Sequence, residues 1–183
     1  MTRKLGRAAC GLLALLALLP AGAVDAAEKW GPFRGQFIDV ETGQPIAGAV
    51  VLVAWYEAVF ALVQTNQRFY DAHEAVAGPD GRFEVPRLSP PLFSFRILDP
   101  QISYFAPGYI PTVERVTPPD GQPFVARTVI EMRSVRTREE QREILSRAVP
   151  FLPWELRFEK MPRYLEALNE AARRAGLEPY PNR

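Results

Sequence analysis

The stretch Ile46-Ala47-Gly48-Ala49-Val50-Val51-Leu52-Val53-Ala54-Trp55-Tyr56 carries apolar, aromatic or glycine residues at odd and even positions alike. A strand with one solvated side alternates apolar and polar residues, whereas a continuous apolar run between turn residues marks a strand buried on both faces. Gly43 and Pro45 stand just before the run. It predicts a central strand, and therefore a chain that must supply a covering layer on each side of it.

Working outward, His73-Glu74-Ala75-Val76-Ala77 and Arg82-Phe83-Glu84-Val85-Pro86 flank Gly78-Pro79-Asp80-Gly81. Pro79 presets a turn φ and Gly81 tolerates a positive one, so the segment predicts a β-hairpin. Residues 125–133 alternate Val125, Arg127, Val129, Glu131 and Arg133 with Ala126, Thr128, Ile130 and Met132, the pattern of a strand with one solvated face. Other short runs of Val, Ile, Phe and Tyr lie between Pro90-Pro91, Pro107-Gly108 and Pro118-Pro119-Asp120-Gly121. Residues 33–136 thus read as a mainly β domain, an antiparallel sandwich or barrel.

Past residue 136 the period changes. Thr137-Arg138-Glu139-Glu140 is a capping box, in which the Thr hydroxyl accepts an amide of the first turn and Glu140 reaches back to the first. Ile144, Leu145, Ala148 and Val149 form an apolar stripe before Pro150 and Pro153. A second helix opens at Pro162, carries Leu165, Leu168, Ala172 and Ala175, and ends at Gly176 with Arg173 and Arg174 in its last turn. Residues 137–183 are expected to be a C-terminal two-helix extension whose amphipathic faces pack on the β domain or on each other.

At the other end, Arg3, Lys4 and Arg7 precede the apolar run from Leu12 to Leu19, then Pro20 and small residues. This pattern predicts a secretory signal peptide over residues 1–26, cleaved between Ala23 and Ala27. The uncharged stretch from Ala8 to Val24 contains Pro20 and two glycines and falls short of the roughly 20 apolar residues a span needs, so no membrane span is expected after cleavage. A periplasmic or secreted location follows. Cys10 leaves with the leader, and a domain without disulfides relies on its hydrophobic core.

Function classes narrow next. Among 183 residues, 22 Lys and Arg balance 21 Asp and Glu, which gives no basis for a nucleic-acid partner. One Cys and one His exclude a thiolate metal cage and leave little for imidazole catalysis. His73 and Glu74 are neighbours on a strand and point to opposite faces, so they do not act together on one target. Asp39, Glu41 and Asp80 are turn acids without the six or more oxygens calcium takes. Ser89, Ser94, Ser103, Ser134 and Ser146 lack a Gly-x-Ser-x-Gly setting. No catalytic residue, metal ligand or cofactor is assigned. The adjacent pairs Trp55-Tyr56, Phe69-Tyr70 and Tyr104-Phe105 place one ring on each strand face, making Tyr56, Tyr70 and Tyr104 the candidates for stacking on a sugar.

Gly35-Gln36-Phe37-Ile38-Asp39 followed by Thr42-Gly43-Gln44-Pro45-Ile46-Ala47-Gly48-Ala49-Val50-Val51 resembles the opening of carboxypeptidase regulatory-like domains. The likeness continues through Asp80-Gly81-Arg82-Phe83 and Pro107-Gly108-Tyr109, in the order that family has them. It implies a transthyretin-like (prealbumin-like) antiparallel sandwich of about seven strands. Residues 59–70 and the aromatic segment 93–100 depart from the family pattern, and loops on a rigid scaffold are where a site is expected. Transthyretin-like enzymes that hydrolyse a purine-derived ring use several histidines and a C-terminal Tyr-Arg-Gly-Ser, neither of which occurs here. The expectation is a non-enzymatic, secreted or periplasmic binding or accessory module that recognises an envelope protein. The alternative is a carbohydrate-binding module that holds polysaccharide on exposed aromatics.

Overall fold

A computed structural model describes residues 29–60, 65–92, 94–115, 126–147 and 159–180. The leader, the turn at Pro118 to Gly121, Val125, Ala148, Val149, Pro150, Pro153, Trp154 and Phe158 lie outside them. In chain order the described elements are β1 (Phe33–Asp39), β2 (Val50–Phe60), β3 (Thr65–Val76), β4 (Arg82–Val85), a short 3-10 turn (Ser94–Arg96), β5 (Gln101–Phe105), β6 (Thr112–Arg115), β7 (Val129–Met132), α1 (Arg138–Arg147) and α2 (Pro162–Ala175).

The strands form a three-stranded sheet, β4-β1-β7, and a four-stranded sheet, β3-β2-β5-β6. The chain is mainly β, and the two sheets meet through one core: the Phe33 ring centroid lies 6.0 Å from Trp55 and that of Phe37 lies 5.8 Å from Tyr104. The apolar run at residues 46–56 becomes β2, buried from Val50 to Tyr56 and flanked by β3 and β5. Val51, Val53 and Trp55 point into the core between the sheets. Val50, Leu52, Ala54 and Tyr56 point the other way, onto Leu165, Leu168 and Ala172 of α2 and Leu145 of α1. Both faces of β2 are therefore covered, by the second sheet and by the helices.

Three details differ from the sequence expectation. The strand pairing is not wholly antiparallel, because β1 pairs β7 in parallel, Gln36 opposite Val129 and Asp39 opposite Met132. The chain passes through the entire four-stranded sheet between those strands and so returns in the same direction, a crossover that parallel neighbours require. The turn at residues 78–81 forms, with the Gly78 N–H donating to the Arg82 carbonyl at 2.9 Å, yet it does not close a hairpin. Its flanking strands belong to different sheets: β3 pairs β2, and β4 pairs β1. Residues 59–70, read as an inserted loop, supply the end of β2 and the start of β3, which pair as far as Phe60 and Thr65.

Gly48 has φ +73° and open space around it, so it serves its turn rather than a close approach. The close approach falls at Gly35, where an added Cβ would lie 2.8 Å from the Phe83 ring and 3.0 Å from the Thr128 carbonyl oxygen.

The N-terminus of α1 follows its sequence in part, and the C-terminus of α2 follows it fully. The Glu140 amide donates to Thr137 Oγ1 at 3.1 Å, but the Glu140 carboxylate turns to the Arg136 amide at 2.9 Å and the Arg133 guanidinium at 2.8 Å. Gly176 closes α2 at φ 70°, and the Leu177 amide donates to the Ala172 carbonyl at 2.9 Å. Buried Asn169 brackets the backbone of Tyr180 on both sides, accepting its N–H at 2.7 Å and donating to its carbonyl at 3.3 Å.

Candidate functional site

With α1 and α2 on the four-stranded sheet, the outer face of the three-stranded sheet is the broad β surface on which no described element packs. Strand alternation puts Phe33 and Phe37 of β1 and Phe83 and Val85 of β4 inward, and Arg34, Gln36, Arg82 and Glu84 outward. Between them, over the Gly35 backbone, lies an open depression of about 620 Å³, bordered also by Val76, Phe83 and Thr128. Arg34 Nη2 meets Glu84 Oε1 at 2.9 Å, and that hydrogen bond holds the Glu84 carboxyl below the ordinary carboxylate range. Gln36 donates to the Asp80 carbonyl at 2.8 Å. Arg82 Nε stands 3.7 Å from Asp80 Oδ2. The surface offers guanidinium and amide donors beside carboxylate and carbonyl acceptors, a chemistry of recognition.

The three tyrosines expected to stack on sugar do not come together. Tyr56 is buried against the helical layer, edge-on to Phe69. Tyr104 is buried between the sheets among Phe37 and Phe83. Only Tyr70 reaches solvent, 37% exposed, beside the β-bulge at which the β2–β3 register shifts. Each adjacent pair does place its rings on opposite faces, but both faces of the four-stranded sheet are covered at Tyr56 and Tyr104. Tyr56 and Tyr104 thus present no ring to solvent, and the three tyrosines form no exposed row.

His73 and Glu74 do face opposite ways. The His73 ring lies edge-on to Trp55 at 5.5 Å, with Nδ1 3.3 Å from the Pro86 carbonyl and Nε2 3.8 Å from Asp71 Oδ2. Asp71 Oδ1 in turn pairs with Lys160 Nζ at 2.9 Å. Glu74, on the other face, accepts the Arg163 and Tyr164 amides at 2.8 and 2.9 Å and so caps α2 from a different element. Burial pushes its carboxyl up, against those two hydrogen bonds. Sequence reasoning missed this role. The available signal was the residue before Pro162: Met161 stands at the N-cap and has no side-chain acceptor, so the first amides need one from elsewhere.

Asp39 joins two of the turns that carry the family resemblance. Its Oδ1 accepts the Glu41 and Thr42 amides at 2.8 and 2.9 Å, and its Oδ2 accepts the Tyr109 hydroxyl at 3.0 Å. The Thr42 amide chiefly, with Glu41 and Tyr109 behind it and burial opposing, holds the carboxyl below its ordinary value. Burial and the neighbouring Asp39 push the Tyr109 hydroxyl up. Among the described residues no group of three His, Cys, Asp or Glu side chains converges on a point, and no helix is long and apolar enough to cross a membrane.

The chain matches no protein-family model, no curated protein and no solved structure.

Proposed function

We propose that the chain is a non-enzymatic accessory module of the cell envelope, secreted or periplasmic, which recognises an envelope protein through the outer face of its three-stranded sheet. The observation that carries this reading is the asymmetry of the two sheets. One outer face is closed by α1 and α2, whereas the other carries Arg34, Gln36, Arg82 and Glu84 around the Gly35 depression with no described element upon it. A polar face with charges of both signs suits a reversible partner whose charges are complementary, since such interfaces gain specificity from matched charge rather than from apolar area. The Thr42-Gly43, Asp80-Gly81-Arg82-Phe83 and Pro107-Gly108-Tyr109 motifs support a transthyretin-like scaffold of the carboxypeptidase regulatory-like type, and the leader supports export. The side chains with the most chemical potential serve structure: Asp39 and Glu74 hold turn and helix amides, and His73 packs on Trp55.

The test is the native mass of the protein after gentle cross-linking in its own envelope. A stoichiometric second protein is expected, and it should be lost from the Arg34→Glu, Arg82→Glu double variant. A bare monomer or homo-oligomer, or a partner indifferent to both substitutions, would overturn the reading.

A further inference from the structure

The charged side chains around the Gly35 depression are not equally occupied. Arg34 Nη2 is committed to Glu84 Oε1 at 2.9 Å, across directly opposed positions of β1 and β4. Opposite charges so placed satisfy one another, and the lowered Glu84 carboxyl agrees with that. Arg82, two residues before Glu84 on the same face of β4, differs. Its backbone is held on both sides: the amide donates to Asp80 Oδ1 at 3.1 Å, and the carbonyl accepts the Gly78 amide at 2.9 Å. Its guanidinium makes no hydrogen bond to a described residue. It faces Asp80, whose Oδ2 stands 3.7 Å from Nε, beyond hydrogen-bond distance, and the two side chains are 75% and 64% exposed. Gln36, directly opposite Arg82, has given its amide to the Asp80 carbonyl instead.

Among the residues that border the depression, two guanidiniums therefore face one carboxylate, and that carboxylate is already bound to Arg34. The charge left to a visitor is the Arg82 cation. A guanidinium presents paired N–H donors in one plane, the geometry that both oxygens of a carboxylate fit. The backbone that carries it is fixed, because the Phe37 amide also donates to the Gly81 carbonyl at 2.9 Å, so binding need order little beyond the side chain itself. Beside the cation lies apolar surface. Val76, at the end of β3, is 47% exposed and borders the same depression as Phe83. A cation next to an exposed valine suits a side chain that has methylenes behind a carboxylate.

We propose that the depression seats an acidic side chain of the protein partner, a Glu or Asp, with Arg82 holding its carboxylate and Val76 walling its methylenes. The inference rests on the docking face proposed above and names what that face selects. Glu84 tempers the contact, since its negative charge stands on the same rim. The contact is reversible, because an exposed ion pair is screened by salt.

The test titrates the isotope-labelled protein, at low salt, with two blocked dipeptides, acetyl-leucyl-glutamyl amide and acetyl-leucyl-glutaminyl amide, and follows backbone amide resonances. The glutamyl peptide is expected to shift the amides of Gly35, Phe83 and Thr128, and the effect should fade as salt rises. The glutaminyl peptide should bind about fivefold more weakly, the upper end for an exposed ion pair. Arg82→Gln should reduce the glutamyl peptide to the glutaminyl level, whereas Glu84→Gln should tighten it, because a negative charge leaves the rim. Circular dichroism of both variants should match wild type, since both side chains are exposed. Should either variant misfold, the two peptides on wild type decide. No shift at these amides, equal shifts by both peptides, or an Arg82→Gln protein that binds the glutamyl peptide as wild type does would each overturn the proposal. The accessory-module reading fails separately, by the absence of a cross-linked second protein; a captured partner without a selective glutamyl shift sinks this inference alone.

Discussion

Glu74 illustrates how much a single side chain can depend on a partner remote in sequence. Its carboxylate satisfies two amides of α2 that Met161 and Pro162 leave open, across 89 and 90 residues of chain. Because burial dominates its surroundings, the folded protein holds the Glu74 proton more tightly than the unfolded chain does. Its contribution to stability is therefore greatest below the ordinary glutamate range and falls as pH rises through the folded pKa. Asp39, Glu84 and Glu140 are lowered instead, so their contributions are present above their ordinary values and are lost on acidification. Glu74→Gln isolates the first effect. Urea denaturation at stepped pH should give a wild-type minus variant stability difference that declines from about pH 4 towards neutrality. A difference independent of pH would contradict the assignment.

At the scale of elements, β1 is held flat against its neighbours by the absence of a side chain at Gly35. The Phe83 ring and the Thr128 carbonyl occupy the space a Cβ would take. Gly35→Ala must displace one of them, and overpacking of this kind costs about 1–3 kcal/mol. The denaturation midpoint should fall accordingly, with the slope unchanged; a neutral substitution would mean that β4 or β7 shifts without penalty. Elements were also where the sequence was most and least legible. Pro162 and Gly176 bracket α2 as their backbone preferences require, and the unbroken apolar run marks β2 as doubly buried. The turn at residues 78–81 was readable as a turn, but turn chemistry does not say whether the next strand pairs with the last one or crosses to the opposite sheet. Backbone hydrogen bonds from the Phe37 amide to Gly81 and from the Ala77 amide to Ala49 commit the two sides to different partners.

Across the whole molecule, β2 unites two cores, one between the sheets and one beneath the helices. Leu168 sits at the centre of the second and is completely buried. Leu168→Ala should cost about 2–5 kcal/mol, the range for deleting a core leucine. Because β2 belongs to both cores, tryptophan fluorescence, which includes Trp55 in the inner core, and far-UV circular dichroism should report one coincident transition. Separate transitions would show the helices to be an independent unit. The sequence by itself determined the doubly buried strand β2, the turns and the course of both helices, because periodicity, proline, glycine and caps act within a few residues. It also carried the turn motifs on which the resemblance rests. Only the tertiary structure decided what covers each face: Tyr56 and Tyr104 are enclosed, Glu74 caps a distant helix, and Arg68 and Arg96 share the Glu57 carboxylate. Alternation along a strand tells which way a side chain points, but what it meets there is set by chain segments tens of residues away.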